Sequence, residues 1–224
     1  MKGRLIVIEG LDGSGKATQT ERVFEYINSL TENCRRLSFP DYDSPSSALV
    51  KMYLSGEFSK APDGVNAYAA STFYAVDRYS SFVKNWKNDY DNGAFFVADR
   101  YYTSNAVYQM GKLPKTNWDE YLAWLEDFEN KKLGIPKPDC IIYLDMSVDV
   151  SQKLMSKRYN NDESRKDIHE RNVEFLRSCR ESALYAAKKM EWKIISCDDG
   201  NNPKTIDEIF NEIYCIIEND VKGW

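Results

Sequence analysis

The sequence predicts an α/β fold in three layers, a parallel sheet covered by helices on both faces. Two observations carry that prediction: short apolar runs alternate with long amphipathic ones, and the first run ends in a glycine-rich loop that opens a helix. The strand candidates are "RLIVIEG" (4–10), "RRLSF" (35–39), "AFFVADR" (94–100), "DCIIYLD" (139–145) and "WKIISCD" (192–198). Each is brief, rich in branched or aromatic residues, and bounded by polar or turn residues. Between them, helical patterns run near 16–32, 44–55, 64–90, 117–131, 148–158, 168–190 and 203–219. Helix starts are expected at Ser44-Pro45, at Asn117 and at Asn202-Pro203. No internal repeat or low-complexity linker interrupts the chain, so one domain over 1–224 is expected. The stretch "SKRYNNDESRKD", 156–167, is charge-dense and poor in apolar anchors. It reads as a lid between two helices.

Composition narrows the function classes. At 42% hydrophobic and 29% charged, the chain has the balance of a folded protein. A net charge of -5 makes it a poor general binder of nucleic acid, which needs a basic face. Small phosphorylated ligands stay open, because a few focused cations suffice for them. No apolar run approaches the roughly 18 residues of a membrane span. The basic and apolar start breaks at Glu9 and Asp12, as a buried first strand does and a signal peptide does not. Five cysteines (Cys34, Cys140, Cys179, Cys197, Cys215) are scattered without a CxxC pair, which fits reduced thiols and a cytoplasmic setting. His169 is the only histidine, which excludes a histidine dyad or triad. Its charged surroundings point to a surface position.

"GLDGSGK", residues 10–16, has the full GxxxxGK spacing between a strand and a helix. Glycines there let successive backbone N–H groups face one point. The helix start adds partial positive charge and Lys16 a full one. Ala17 stands where such loops normally carry a Ser or Thr that ligates Mg²⁺. Thr18 lies about 100° further round the helix and is not a simple substitute. Because Mg²⁺ often takes only one or two carboxylates plus phosphate oxygens and water, Asp99, ending "AFFVAD", is the expected metal ligand.

A second ligand site is expected beside the first. Tyr74 and Arg78 in "FYAVDRY" are spaced i, i+4 and share a helix face, where a ring and a guanidinium can stack on a base and donate to its carbonyl edge. The same spacing also fits a surface cation–π or salt-bridge pair. Phe73 points to the core. In "DRYYTSNAVYQ" (99–109), Arg100, Ser104, Asn105, Tyr108 and Gln109 leave the carboxyl end of a strand, where open parallel sheets bind ligands.

With these residues in view, the chain resembles the thymidylate kinases, nucleoside monophosphate kinases that phosphorylate dTMP. The resemblance rests on "IEGLDGSGK", "FP" at 39–40, "FYAVDR", "VADRYYTSNAVYQ", "IIYLD" and the charged lid, in the family's order over roughly 1 to 190. It implies a P-loop NTPase fold with a five-stranded parallel sheet, the substrates ATP and dTMP, the cofactor Mg²⁺, and a homodimer. It further implies that Gly10 opens a loop whose residues Asp12, Gly13, Ser14, Gly15, Lys16, Ala17 and Thr18 face ATP, with the amides of 13–18 and the Lys16 ammonium on its phosphates. Asp12 would also meet the sugar 3′-hydroxyl of dTMP. Tyr74 would stack on thymine, Arg78 donate to a thymine carbonyl, and Arg100 bind the monophosphate. Asp99 would organise the metal and Asn105 face the base edge. Tyr108 would fill the space a ribose 2′-hydroxyl needs, and Phe39 and Pro40 would line the base pocket.

Two positions depart from the family pattern. Ala17 is one. The other is Asp41-Tyr42-Asp43, where many relatives carry an arginine after "FP"; two acids beside a phosphate would repel it, so this segment is expected to point elsewhere. Family members take a catalytic arginine from the phosphate loop or from the lid. Residues 11–14 contain none, so the role falls to Arg158, or to Arg165 close behind it. No base is needed, since the acceptor phosphate is already a competent nucleophile. Two other readings stay open at this stage: a kinase of another monophosphate or of a nucleoside, and a nucleotide-binding regulator that has lost catalysis.

Overall fold

A computed structural model describes residues 2–158, 169–170 and 172–221. Five parallel strands form one sheet in the order β2-β3-β1-β4-β5. They are β1 (Arg4–Gly10), β2 (Cys34–Ser38), β3 (Phe95–Asp99), β4 (Cys140–Asp145) and β5 (Lys193–Ser196). All five fall on the expected apolar runs. The central strand shows why the sheet is covered twice: Leu5 and Val7 point into one apolar layer, Ile6 and Ile8 into the other. Register sets the functional edge. Ile8 lies beside Asp99 and Gly10 beside Leu144, so β1, β3 and β4 end together.

Helices α1 (Lys16–Thr31) and α9 (Ile206–Val221) cover one face, with Val23 and Ile27 of the first against Ile209, Ile213 and Ile217 of the second. Helices α3 (Ala67–Ser81), α5 (Thr103–Tyr108), α6 (Trp118–Glu126) and α8 (Val173–Lys189) cover the other, around a larger aromatic core. Short α2 (Ala48–Leu54) and α4 (Lys87–Asp91) lie at the rim, and α7 (Val148–Arg158) follows β4.

Element starts differ from expectation where local hydrogen bonds intervene. Ser44 does cap a turn, but a 3₁₀ turn over Pro45–Ser47 precedes α2. The 64–90 pattern divides: Asn66 caps α3, and wide π-type turns over Phe82–Trp86 separate it from α4. α8 starts at Val173, where the Asn172 side chain accepts from Phe175 N at 3.0 Å. α9 starts after Thr205, not at Asn202-Pro203. Glu208 N donates to Thr205 Oγ1 at 3.2 Å and Thr205 N to Glu208 Oε2 at 2.8 Å, a reciprocal capping box. The helix after β3, α5, is only six residues long and follows directly on the strand end, so it brings Asn105 and Tyr108 over the sheet edge.

Candidate active site

The carboxyl ends of β1 and β3 open into a cleft of about 760 Å³. Its floor is the turn from β1 into α1. Gly13 and Gly15 take left-handed backbone angles (φ 80° and 85°). A Cβ on Gly13 would lie 2.9 Å from the Ser151 carbonyl of α7, so only glycine lets the loop pack there. On Gly15 nothing lies within 4 Å, and the backbone angle alone makes the demand. Gly13, Gly15, Lys16, Ala17 and Thr18 line the cleft. Gly10 and Ser14 sit behind it: Ser14 is fully buried, with its hydroxyl unpartnered. Lys16 Nζ donates to the Leu11 carbonyl at 2.8 Å and lies 3.7 Å from Asp12 Oδ1.

The opposite wall begins at Arg100, whose φ of 66° is left-handed and uncommon for a side chain of this size. That turn aims the guanidinium back across the strand ends. It pairs with Asp12, approaches Glu9 Oε1 at 3.7 Å, donates to Tyr108 Oη at 3.3 Å and lies over the Tyr108 ring at 5.1 Å. Tyr108 Oη donates to Asp12 Oδ2 at 2.8 Å. Lys16 and Arg100 thus converge on one carboxylate oxygen, Asp12 Oδ1. Burial would raise the Asp12 pKa, but Arg100, Lys16 and the Tyr108 hydroxyl together hold it well below the usual carboxylate range. Burial pushes the Lys16 ammonium down, helped by nearby Arg100 and opposed by Asp12, Asp99 and Glu9.

Glu9 is the group that sequence reasoning missed. It is fully buried beneath the cleft and accepts from Thr103 Oγ1 at 2.9 Å and Ser104 Oγ at 2.8 Å. Burial raises its pKa against the pull of Arg100 and Lys16. The available signal was an acid closing an otherwise apolar strand.

Phe39, Pro40, Tyr74, Arg78 and Asn105 line the same cleft. Tyr53 meets the Tyr74 ring edge-on at 6.3 Å and 87°. Arg78 corrects one alternative. It is no surface pair but 1% exposed, with its guanidinium bound to the buried carboxylate of Glu129. Phe73 packs against Tyr53 as expected. Asp41 and Asp43 stay off the cleft lining, whereas Tyr42 joins it. His169 corrects another expectation. It is 4% exposed and lines the cleft, bonded to Tyr53 Oη at 2.7 Å. Its charged neighbours in the sequence gave no hint of the aromatic pocket it enters.

Asp99 lines the cleft beside the loop, and its Oδ1 is buried without a hydrogen-bond partner. Asn105 Nδ2 and Gln109 Oε1 are unpartnered in the same way. Among the described residues no group of three or more His, Cys, Asp or Glu could hold a metal. One orphaned carboxylate oxygen fits a metal carried in largely by a ligand's own phosphates and waters. Arg158 closes α7, its side chain lying outside the described residues; Arg165 and most of the 156–167 lid lie outside them as well. Leu154 and Met155, one turn before Arg158, do line the cleft.

Residues 8–213 match the protein family described as Thymidylate kinase. A thymidylate kinase of Mycobacterium tuberculosis is 30% identical over 203 residues, covering 87% of this chain and 92% of that protein. One of Caenorhabditis elegans is 26% identical over 232 residues, covering 97% and 91%. Among solved structures, thymidylate kinase from Candida albicans superposes with a TM-score of 0.70 at 22% identity, covering 98% of this chain and 92% of that one. The enzyme from Ehrlichia chaffeensis superposes at 0.66 and 19%, covering 97% and 100%.

Proposed function

The chain belongs to the thymidylate kinase family, and from that premise we propose how its cleft carries out the family's reaction. It is an ATP-dependent phosphotransferase that passes the γ-phosphoryl group of ATP to dTMP, giving dTDP and ADP. The observation that carries the assignment is the convergence of Lys16 and Arg100 on Asp12, at the point where the phosphate loop meets the acceptor wall.

Lys16 and the amides of residues 13–18 hold the ATP phosphates. Arg100 takes the dTMP phosphate, and its left-handed backbone keeps the fork aimed across the strand ends. Phosphates held by these two neighbouring cations would be brought together for transfer, and positioning of this kind is most of what phosphoryl transfer asks of a protein. Asp12 screens the two cations from one another and accepts from the sugar 3′-hydroxyl. Tyr74, braced by Tyr53, stacks on the base; Arg78 donates to a base carbonyl and Asn105 faces the base edge. Phe39 and Pro40 line the base pocket. Tyr108 occupies the space beside the sugar and disfavours a ribose. Mg²⁺, when bound, neutralises phosphate charge, and Asp99 is the residue that would hold it. Arg158, with Arg165 as the second candidate, supplies further positive charge from the lid.

The assembly and setting follow the same reading. Val76, Tyr79 and Val83 form an exposed apolar stripe (54%, 44% and 50%) on one side of the α3 region, which supports a homodimer. Among the described residues all five cysteines are free, in keeping with a cytoplasmic setting. A single domain with a lid over 156–167 completes the proposal.

The test is ADP formation with ATP and a panel of acceptors: dTMP, dUMP, UMP, dCMP and thymidine. The highest kcat/KM is expected with dTMP, ahead of dUMP by roughly 10–200-fold, the worth of one methyl group. Tight ATP binding without turnover on any acceptor would overturn the assignment, as would a preference for thymidine.

A further inference from the structure

Arg78 and Glu129 form an ion pair that is sealed on the protein side, with side chains 1% and 0% exposed. The contact is side-on. Nε donates to Glu129 Oε2 at 3.3 Å, and Nη2 donates to Oε1. Glu129 itself belongs to no ligand-facing motif. It lies 51 residues downstream, just past α6, on the stripe Trp118, Tyr121, Leu122, Leu125 that packs into the aromatic core. An acid at that point of an apolar stripe calls for a partner. The neighbouring acid Asp77 is engaged elsewhere, accepting from Asp41 N at 2.8 Å and Ser46 Oγ at 2.7 Å. Among the described residues Glu129 is therefore the carboxylate that fixes the Arg78 fork.

A guanidinium is planar, has five donor hydrogens and no acceptor. Clamping Nε and one side of Nη2 leaves the Nη1 edge to face outward, and Arg78 lines the cleft. The surface so presented is donor-only. It matches a carbonyl oxygen and opposes an exocyclic amine. Glu129 lies behind the guanidinium, so its oxygens do not offer that amine an acceptor.

We propose that Glu129 is a positioning residue for acceptor specificity: by clamping Arg78 from behind, it fixes a donor-only edge that selects a keto pyrimidine over an amino pyrimidine. This rests on the assignment of Arg78 to the base made above.

The test compares wild type with Arg78→Gln, Glu129→Gln, Glu129→Asp and the double variant Arg78→Gln/Glu129→Gln, using dTMP and dCMP as acceptors. With Glu129→Gln, KM for dTMP is expected to rise about tenfold and the dTMP:dCMP ratio of kcat/KM to fall about tenfold, the weight of a misplaced hydrogen bond in a desolvated site. KM for ATP, and kcat at saturating dTMP, should stay within about threefold. Glu129→Asp, a methylene shorter, should fall between. In the Arg78→Gln background, adding Glu129→Gln should change neither KM nor the ratio. An unchanged dTMP KM and ratio in Glu129→Gln would overturn the proposal. So would a fall in kcat alone that tracks loss of folded protein in thermal unfolding. Should Glu129→Gln fail to fold, Glu129→Asp decides by the same readout. If Arg78→Gln itself leaves the dTMP KM unchanged, the base assignment fails rather than the clamp.

Discussion

The rings of Tyr108 and His169 lie stacked, with centroids 5.5 Å apart and planes within 15° of parallel. Tyr108 lines the cleft and its hydroxyl donates to Asp12; His169 is the first described residue after the 159–168 stretch. Tyr53 and Phe175 complete the pocket around the imidazole, and Lys112 Nζ donates to the same Tyr53 hydroxyl at 2.8 Å. His169 and the adjoining Glu170 thus form part of the cleft lining.

That burial predicts an acid sensitivity. Burial pushes the His169 pKa down to about 3, with Lys112 and Arg100 acting in the same direction and Asp12 against them. The unfolded chain takes up this proton near pH 6.5, the folded one not until about pH 3. His169 thus costs no stability above pH 6.5 and lowers it progressively as pH falls through that window. Between pH 7.5 and 5 the loss should be about 1–2 kcal/mol. His169→Gln should flatten the acid side of the thermal-unfolding profile by that amount. An identical pH slope in the two proteins would contradict the burial of a neutral imidazole.

Arg100 allows backbone and side chain to be separated. Arg100→Ala and Arg100→Gly both remove the guanidinium, so KM for dTMP should rise about 100-fold in each, the weight of a charge-assisted contact in a partly buried site. Their stabilities should differ. A left-handed non-glycine residue costs roughly 1–2 kcal/mol, which glycine relieves. Arg100→Gly should therefore melt above Arg100→Ala, and the reverse order in a thermal scan would refute the strained turn.

How much of this could be read without the structure depended on range. Strand β1 was legible because the sheet buries both its faces, and that leaves an unbroken apolar run. The phosphate loop was legible because its glycines and Lys16 sit within seven consecutive residues. Pairings across long spans were not. Arg78 was assigned to the helix face it occupies, but Glu129, its counter-ion, lies beyond any local pattern. His169 was misread because local charge describes the chain around a residue and not the aromatic pocket that three separate helices, carrying Tyr53, Tyr108 and Phe175, build around it.

Asp99 should show itself through metal dependence. Its Oδ1 is buried without a partner, and Ala17 offers no hydroxyl to share the role. Asp99→Asn keeps the shape and removes the charge. The Mg²⁺ concentration giving half-maximal rate should rise about tenfold or more, while ATP binding measured without metal stays close to wild type. A Mg²⁺ titration superimposable on wild type would remove Asp99 from that role.

The balance of charge at the cleft calls for one more cation during transfer. Lys16 and Arg100 are the cations that the described structure brings to its centre, and both are already drawn to Asp12, with Asp99 and buried Glu9 adjoining. Two phosphates arriving there add further negative charge, and charge moves outward onto the bridging oxygen as the phosphoryl group transfers. No arginine stands in residues 11–14 to meet it. On the proposed assignment an arginine of the 156–167 segment adds to what Mg²⁺ would supply at the transition state, and such an arginine is worth roughly 10³–10⁵ in rate. Arg158 ends a helix whose preceding turn, Leu154 and Met155, lines the cleft, and it is the first candidate. Arg158→Ala should cut kcat by about that range while KM for dTMP moves less than about fivefold, because the interaction forms only as the reaction proceeds. If KM rises as steeply as kcat falls, Arg158 binds the ground state instead. If neither changes, the same experiment on Arg165 identifies the residue that carries the charge.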